Sequence, residues 1–257
     1  MMRLGILRAL LLIGSGLLLQ AGTASGSAFK VTPVRVTFNR PSSTLLTLKN
    51  DSDEVLRFQI TAYTWSQDAK GGIQLGPTED VTFFPTLLTL KAGEERKVRV
   101  ATTVTAKDVE KTYRIFFEEL PPLETPKEKA GAQIRILTRM GIPIFVEPEK
   151  GYAEARVENA KVQGGHLMFE VRNSGNMHFA VRSVKVHGVS STGEALLERE
   201  VEGWYVLPGT PRSYDLEIPA GVCSKLKTVS LEVQTDVAGN TGATIKSAID
   251  VTPASCK

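Results

Sequence analysis

Metal-ligating residues are scarce in this 257-residue chain: it has two cysteines and three histidines, His166, His178 and His187. The histidines are dispersed and fit no HExxH-type spacing, so no metal centre is expected. Neither a GxSxG elbow nor a glycine-rich phosphate loop occurs. Ser174, His178 and Asp215 can be drawn as a triad, but a serine-rich chain offers such sets by chance. Glu118 and Glu119 are adjacent, so on a strand they face opposite sides and cannot share acid–base work. These absences argue against an enzyme and leave no place for a cofactor or a small-molecule substrate. Lys/Arg clusters interleaved with aromatics are also lacking, which excludes nucleic acid as a partner.

Long apolar runs are nearly absent. The one that stands out, Ala9 to Leu19, follows Arg3 and Arg8 and precedes Gly26-Ser27-Ala28. That is the make-up of a secretory signal over residues 1–28, and the run falls short of the roughly 20 residues a membrane span needs. The chain is therefore expected to be exported and soluble. Removing residues 1–28 takes away two arginines and no acid, so the formal charge falls from +3 to +1. No basic binding surface is implied. In an exported chain the pair Cys223 and Cys256 reads as a disulfide tying the terminus to the last domain. Neither cysteine lies near the cleavage site, so no lipid anchor is expected. Asn50-Asp51-Ser52 fits a glycosylation acceptor, which matters only in a eukaryotic secretory route.

What is present is alternation. Val34, Val36 and Phe38, then Leu46 and Leu48, then Phe58, Ile60 and Ala62, then Val98 and Val100 recur with period two. Turn residues punctuate them, at Asn50 to Asp53, Gly71-Gly72, Gly76-Pro77 and Ala92-Gly93 in the first half. In the second half they come at Gly164-Gly165, Asn173 to Asn176 and Ser191 to Gly193. No window of ten residues carries a helical stripe. Short strands with frequent turns predict an all-β chain of two immunoglobulin-like sandwiches in tandem, over 29–148 and 149–257. The hinge is the charged Pro/Gly segment Glu147 to Gly151. Pro121 to Gly131 is too rich in proline and charge for a strand and predicts a loop. The stretch after it, Gly131 to Pro148, has strand character with Pro143 inside it. Proline cannot donate to a ladder, so an edge strand is expected, a surface on which another chain can pair.

Several segments together resemble one family, the periplasmic PapD-like chaperones of the chaperone–usher pathway. They are Val34-Arg35-Val36, Leu46 to Asn50, Phe84-Pro85 with Leu90 to Glu94, and Tyr113 to Pro122. Val171 to Asn176 and Gly203 to Gly209 follow in the second half, so the likeness covers nearly the whole exported chain. The resemblance implies a two-domain, boomerang-like chaperone that lends an edge strand to pilus or spore-coat-like subunits. It then delivers them to an outer-membrane usher. The donor strand would lie in about 132–146, starting from Ala132, with Ile134 and Ile136 as knobs and Met140 as a further one. Gly141 marks a candidate bulge after it.

The family also implies two basic residues that hold the subunit's terminal carboxylate. Arg35 matches the first. The second is normally a lysine in the last strand of the first domain, and its position is occupied here by Pro143. That departure is similar to the archaic or spore-coat-type branch, and it requires Arg114 or Arg139 to supply the charge, Arg114 being preferred for its position opposite Tyr113 and Ile115. The alternative is a secreted two-domain adhesin or structural surface component. A lectin-like adhesin would show aromatics clustered on loops, whereas Trp65 and Trp204 fall in strand-like runs and are expected in cores.

Overall fold

The computed structural model describes residues 28–123, 135–237 and 243–256. Most of residues 1–28, the 124–131 part of the expected loop, and Ala132 and Ile134 of the expected donor strand lie outside them. No helix among the described residues is long and apolar enough to cross a membrane.

The first domain is built from β1 (Phe29–Thr32), β2 (Val36–Phe38), β3 (Ser42–Asn50), β4 (Leu56–Gln67), β5 (Ile73–Pro77), β6 (Val81–Phe84), β7 (Leu87–Leu90), β8 (Glu95–Thr102), β9 (Lys111–Leu120) and β10 (Arg139–Val146). One sheet has the order β1-β3-β8-β6. The other runs β2-β10-β9-β4-β5, with β7 also paired to β4. The period-two apolar positions turn inward and fill the space between the sheets, including Leu46, Leu48, Phe58, Ile60, Val98, Ile115, Phe117, Ile142 and Ile144. One expectation is corrected here. Val34-Arg35-Val36 is not one strand, because the chain bends at Pro33 and Val34 and passes from the first sheet to the second. Proline offers no N–H to a ladder, so a crossing is natural there. Val36 is buried, while Val34 and Arg35 are exposed.

The second domain carries β11 (Ala155–Gln163), β12 (His166–Asn173), β13 (Phe179–Ser190), β14 (Ala195–Glu202), β15 (Tyr205–Val206), β16 (Pro211–Glu217), β17 (Leu226–Thr235) and β18 (Ala243–Asp250). The sheet β11-β12-β16 faces the sheet β14-β13-β17-β18, and β15 adds to β13. A second core, centred on Leu167, Phe169, Val184, Val229 and Leu231, lies between them. The expected disulfide is present: Cys223, in the short helix α1 (Ala220–Cys223), is bonded to Cys256 in a closing 3-10 turn.

The two domains meet through specific contacts. Trp65 and Phe145 of the first pack with Tyr205 and Leu207 of the second. The Gln67 side chain donates to the Tyr205 carbonyl at 2.8 Å and accepts from the Leu207 N–H at 2.9 Å. The fully buried carboxylate of Glu110 accepts from the backbone N–H of His178 at 2.9 Å and lies 2.8 Å from its Nδ1. That imidazole stacks flat on Phe145, the ring centres 3.5 Å apart. The residues imagined as a triad are engaged elsewhere: Ser174 with Glu154, His178 with Glu110, and Asp215 with His166.

Candidate functional site

β10 is the element on which the site depends. It pairs antiparallel with β9 along its whole length, from Arg139 opposite Glu118 to Val146 opposite Lys111. On its other side it is covered only at its end, where β2 runs parallel to it with Val36 beside Ile144 and Phe38 beside Val146. From Arg139 to Pro143 that side has no strand partner among the described residues. The edge is therefore open for five residues and then closed.

Register explains Pro143. The Thr138 carbonyl accepts the Glu119 N–H at 3.0 Å, so even-numbered residues of β10 bond toward β9. Odd-numbered ones turn their backbone polar groups toward the other side, and Glu147 N–H, donating to the Phe38 carbonyl, keeps that parity. The N–H that Pro143 lacks would have pointed off the open edge, so no ladder bond is lost.

The same parity sorts the side chains. Met140, Ile142, Ile144 and Val146 face the first core. Arg139, Gly141, Pro143 and Phe145 face outward with Arg114 and Phe116 of β9, and with Tyr63 and Trp65 of β4. Register places Arg114 directly opposite Pro143. On the other flank Arg35 immediately precedes Val36, the first residue of β2 to pair with β10, at Ile144. Arg114 and Arg35 thus come from the two sides of β10 near Pro143.

Arg114 is the more constrained of the two. It is 7% exposed, its Nε has no hydrogen-bond partner, and no carboxylate lies within ion-pair distance among the described residues. Its guanidinium sits 4.9 Å from the Trp65 ring centre and 5.8 Å from that of Trp204. Burial lowers its pKa, the phenol of Tyr205 opposing more weakly. Arginine nevertheless remains charged at neutral pH. The result is a desolvated cation between two indoles at the domain junction, a site chemically suited to an anion. Trp204 is a second correction. It lies between β14 and β15 and is 39% exposed, because its indole covers Arg114 instead of entering a core.

The remaining candidates separate. Arg35 is exposed with no ion-pair partner among the described residues. Arg139 is half exposed and already bound to Glu118 at 3.2 Å, so it stands apart from Arg35 and Arg114. Arg135 reaches Glu54 at 3.0 Å. Ile136 and Leu137, immediately before β10, are 60% and 42% exposed. Met140 is half buried and packs against the first core. The register of β10 is unbroken from Arg139 to Val146, so there is no bulge at Gly141 to turn Met140 outward. Gly141 is needed for another reason: a Cβ there would lie 2.7 Å from the Phe116 ring.

Residues 28–151 match the family described as pili and flagellar-assembly chaperone, PapD N-terminal domain. Among curated proteins no sequence matches. Among solved structures, a chain of the CsuC–CsuE chaperone–tip adhesion subunit pre-assembly complex from archaic chaperone-usher Csu pili of Acinetobacter baumannii is similar in fold. Its TM-score is 0.55 at 17% identity, over 85% of this chain and 97% of that one. A chain of the Salmonella enterica SafA pilin–SafB chaperone complex gives 0.54 at 17% identity, over 89% and 99%. The class 5 fimbriae chaperone CfaA gives 0.53 at 14% identity, over 86% and 98%.

Proposed function

Because the chain belongs to the PapD-like chaperones of pilus and flagellar assembly, we propose that it holds pilus-type subunits in the periplasm by lending them the strand that leads into β10. It then passes them to an outer-membrane usher. The observation that carries this reading is Arg114 opposite Pro143, with Arg35 leading into β2, where the open edge of β10 stops. A strand added to that edge can extend only as far as Pro143, because β2 occupies the edge beyond it. A strand that must stop there brings a chain end, and the two arginines lie near it. An ammonium end is repelled by them, whereas a carboxylate gains charge-assisted hydrogen bonds. The guest strand therefore runs parallel to β10 and ends in its terminal carboxylate, held by Arg35 and Arg114.

The lent strand precedes this point. Ile134 and Ile136 supply the apolar knobs, and the exposure of Ile136 and Leu137 next to an open edge supports this assignment. Met140 faces the chaperone's own core and is left out of the knob set, and Arg139 is left out of the anchor. The domain boundary is put in the hinge Glu147 to Gly151, after the last strand of the first core. Residues 1–28 are taken as the export signal that brings the chain to the periplasm.

The test is co-expression with a pilin-like subunit that lacks its own last strand. Ile134→Asp with Ile136→Asp is expected to leave the chaperone folded and to abolish recovery of the complex. Undiminished recovery of the complex with the double variant overturns the donor assignment.

A further inference from the structure

Two residues before Pro143, on the same outer face, a neighbouring ring takes the place of a side chain. Gly141 presents no side chain, and its register partner Phe116 turns its ring into the volume that a Cβ would occupy, 2.7 Å from it. Tyr63 meets that ring edge to face at 5.9 Å. The Arg139 guanidinium lies over the Phe116 ring, 4.0 Å from its centre, and 5.9 Å from the ring centre of Tyr63. Its Nε is held by Glu118 at 3.2 Å, and the side chain stays 43% exposed. The notch over Gly141 is thus walled by a half-exposed cation that lies on a buried ring and already has a carboxylate partner.

We propose that this notch selects an aromatic side chain at the third residue from the end of the bound subunit. The inference rests on the strand-end reading above. With the terminal residue beside Pro143 and the guest parallel to β10, the third-last residue lies beside Gly141, and its side chain is on the notched face. An acidic side chain there meets Glu118, and a basic one adds to Arg139 and Arg114. A small one leaves the exposed guanidinium uncovered. A planar ring lies across the glycine and stacks on the outer plane of the guanidinium, the part of Arg139 that neither Glu118 nor Phe116 uses.

The probe is a nine-residue alternating Val/Thr peptide with a free terminal carboxylate and either Phe or Ala third from its end, with the terminal amide as control. Binding is read from the fluorescence of Trp65 and Trp204, which flank Arg114. The Phe peptide should bind three- to fivefold more tightly than the Ala peptide, about what a half-exposed cation–ring contact is worth. In Arg139→Ser that ratio should fall to one while the preference for carboxylate over amide remains. Equal binding of the two peptides with the carboxylate preference intact overturns the subsite and leaves the anchor standing. Loss of that preference in the native protein overturns the strand-end reading, and the subsite with it.

Discussion

Arg114→Met separates a residue kept for binding from one kept for stability. Methionine retains most of the apolar stem between Trp65 and Trp204 and removes the charge. In the free protein two effects oppose each other. The variant loses cation–ring attraction to two indoles, about 0.5–2 kcal/mol. It also no longer buries a cation that has no carboxylate partner among the described residues, a relief of comparable or larger size. Stability to urea should therefore stay within about 1 kcal/mol of native. Binding has no such compensation. Each charge-assisted hydrogen bond to a carboxylate is worth about 1.5–3 kcal/mol, or roughly 10- to 150-fold in affinity. The assay titrates the Val/Thr peptide as carboxylate and as amide into native and variant protein, following Trp65 and Trp204 fluorescence. The native protein should favour the carboxylate by that factor, and Arg114→Met should lose most of the preference. Arg114→Lys, a point charge without the planar fork, should fall between them. A variant that keeps the full preference, or one that unfolds more easily by several kcal/mol while binding normally, would refute the reasoning.

Two further outcomes concern how the molecule is held together. His178→Ala removes the partner of a fully buried carboxylate, leaving Glu110 with the backbone N–H of residue 178 and no imidazole, and it also ends the stack on Phe145. Breaking a buried pair from one side costs about 3–5 kcal/mol; a loss under about 1 kcal/mol in chemical denaturation would mean that the interface does not depend on it. Reducing Cys223–Cys256, which closes a loop of 33 residues in separation, should cost about 3–4 kcal/mol on the loop-entropy account. Peptide binding at the first domain should be unchanged in reducing buffer as long as the protein stays folded.

Local patterns in the sequence carried much of the fold. Period-two apolar positions became inward faces in both sandwiches, and the two cysteines became a disulfide. Arg114 could be singled out because its neighbours Tyr113 and Ile115 are apolar, so it had to face away from the core. Cross-strand register is different, since it is set by partners distant in sequence. That Arg114 stands opposite Pro143, with Arg35 leading into β2 near it, is invisible until β9, β10 and β2 are aligned. Gly141 invited a bulge, but its role is to make room for Phe116, a residue on another strand. The parity of Met140 follows from that unbroken register. Trp204 read as core because it lies among strand-like residues, yet the arginine it covers belongs to the other domain. The Glu110–His178 pair spans 68 positions and the domain interface, and no local signal announces it.

β2 has a consequence beyond packing. Its three residues, Val36–Phe38, occupy the edge of β10 just past Pro143, and so act as a physical full stop for any guest. A polypeptide that continues beyond its last strand residue must collide with them, however well its earlier side chains fit. On the strand-end reading, recognition is therefore limited to completed chains. A subunit still being exported, or one lengthened by a few residues at its C-terminus, presents no free end at the arginines. On that reading a three-residue strand lets the chain tell a finished subunit from an unfinished one.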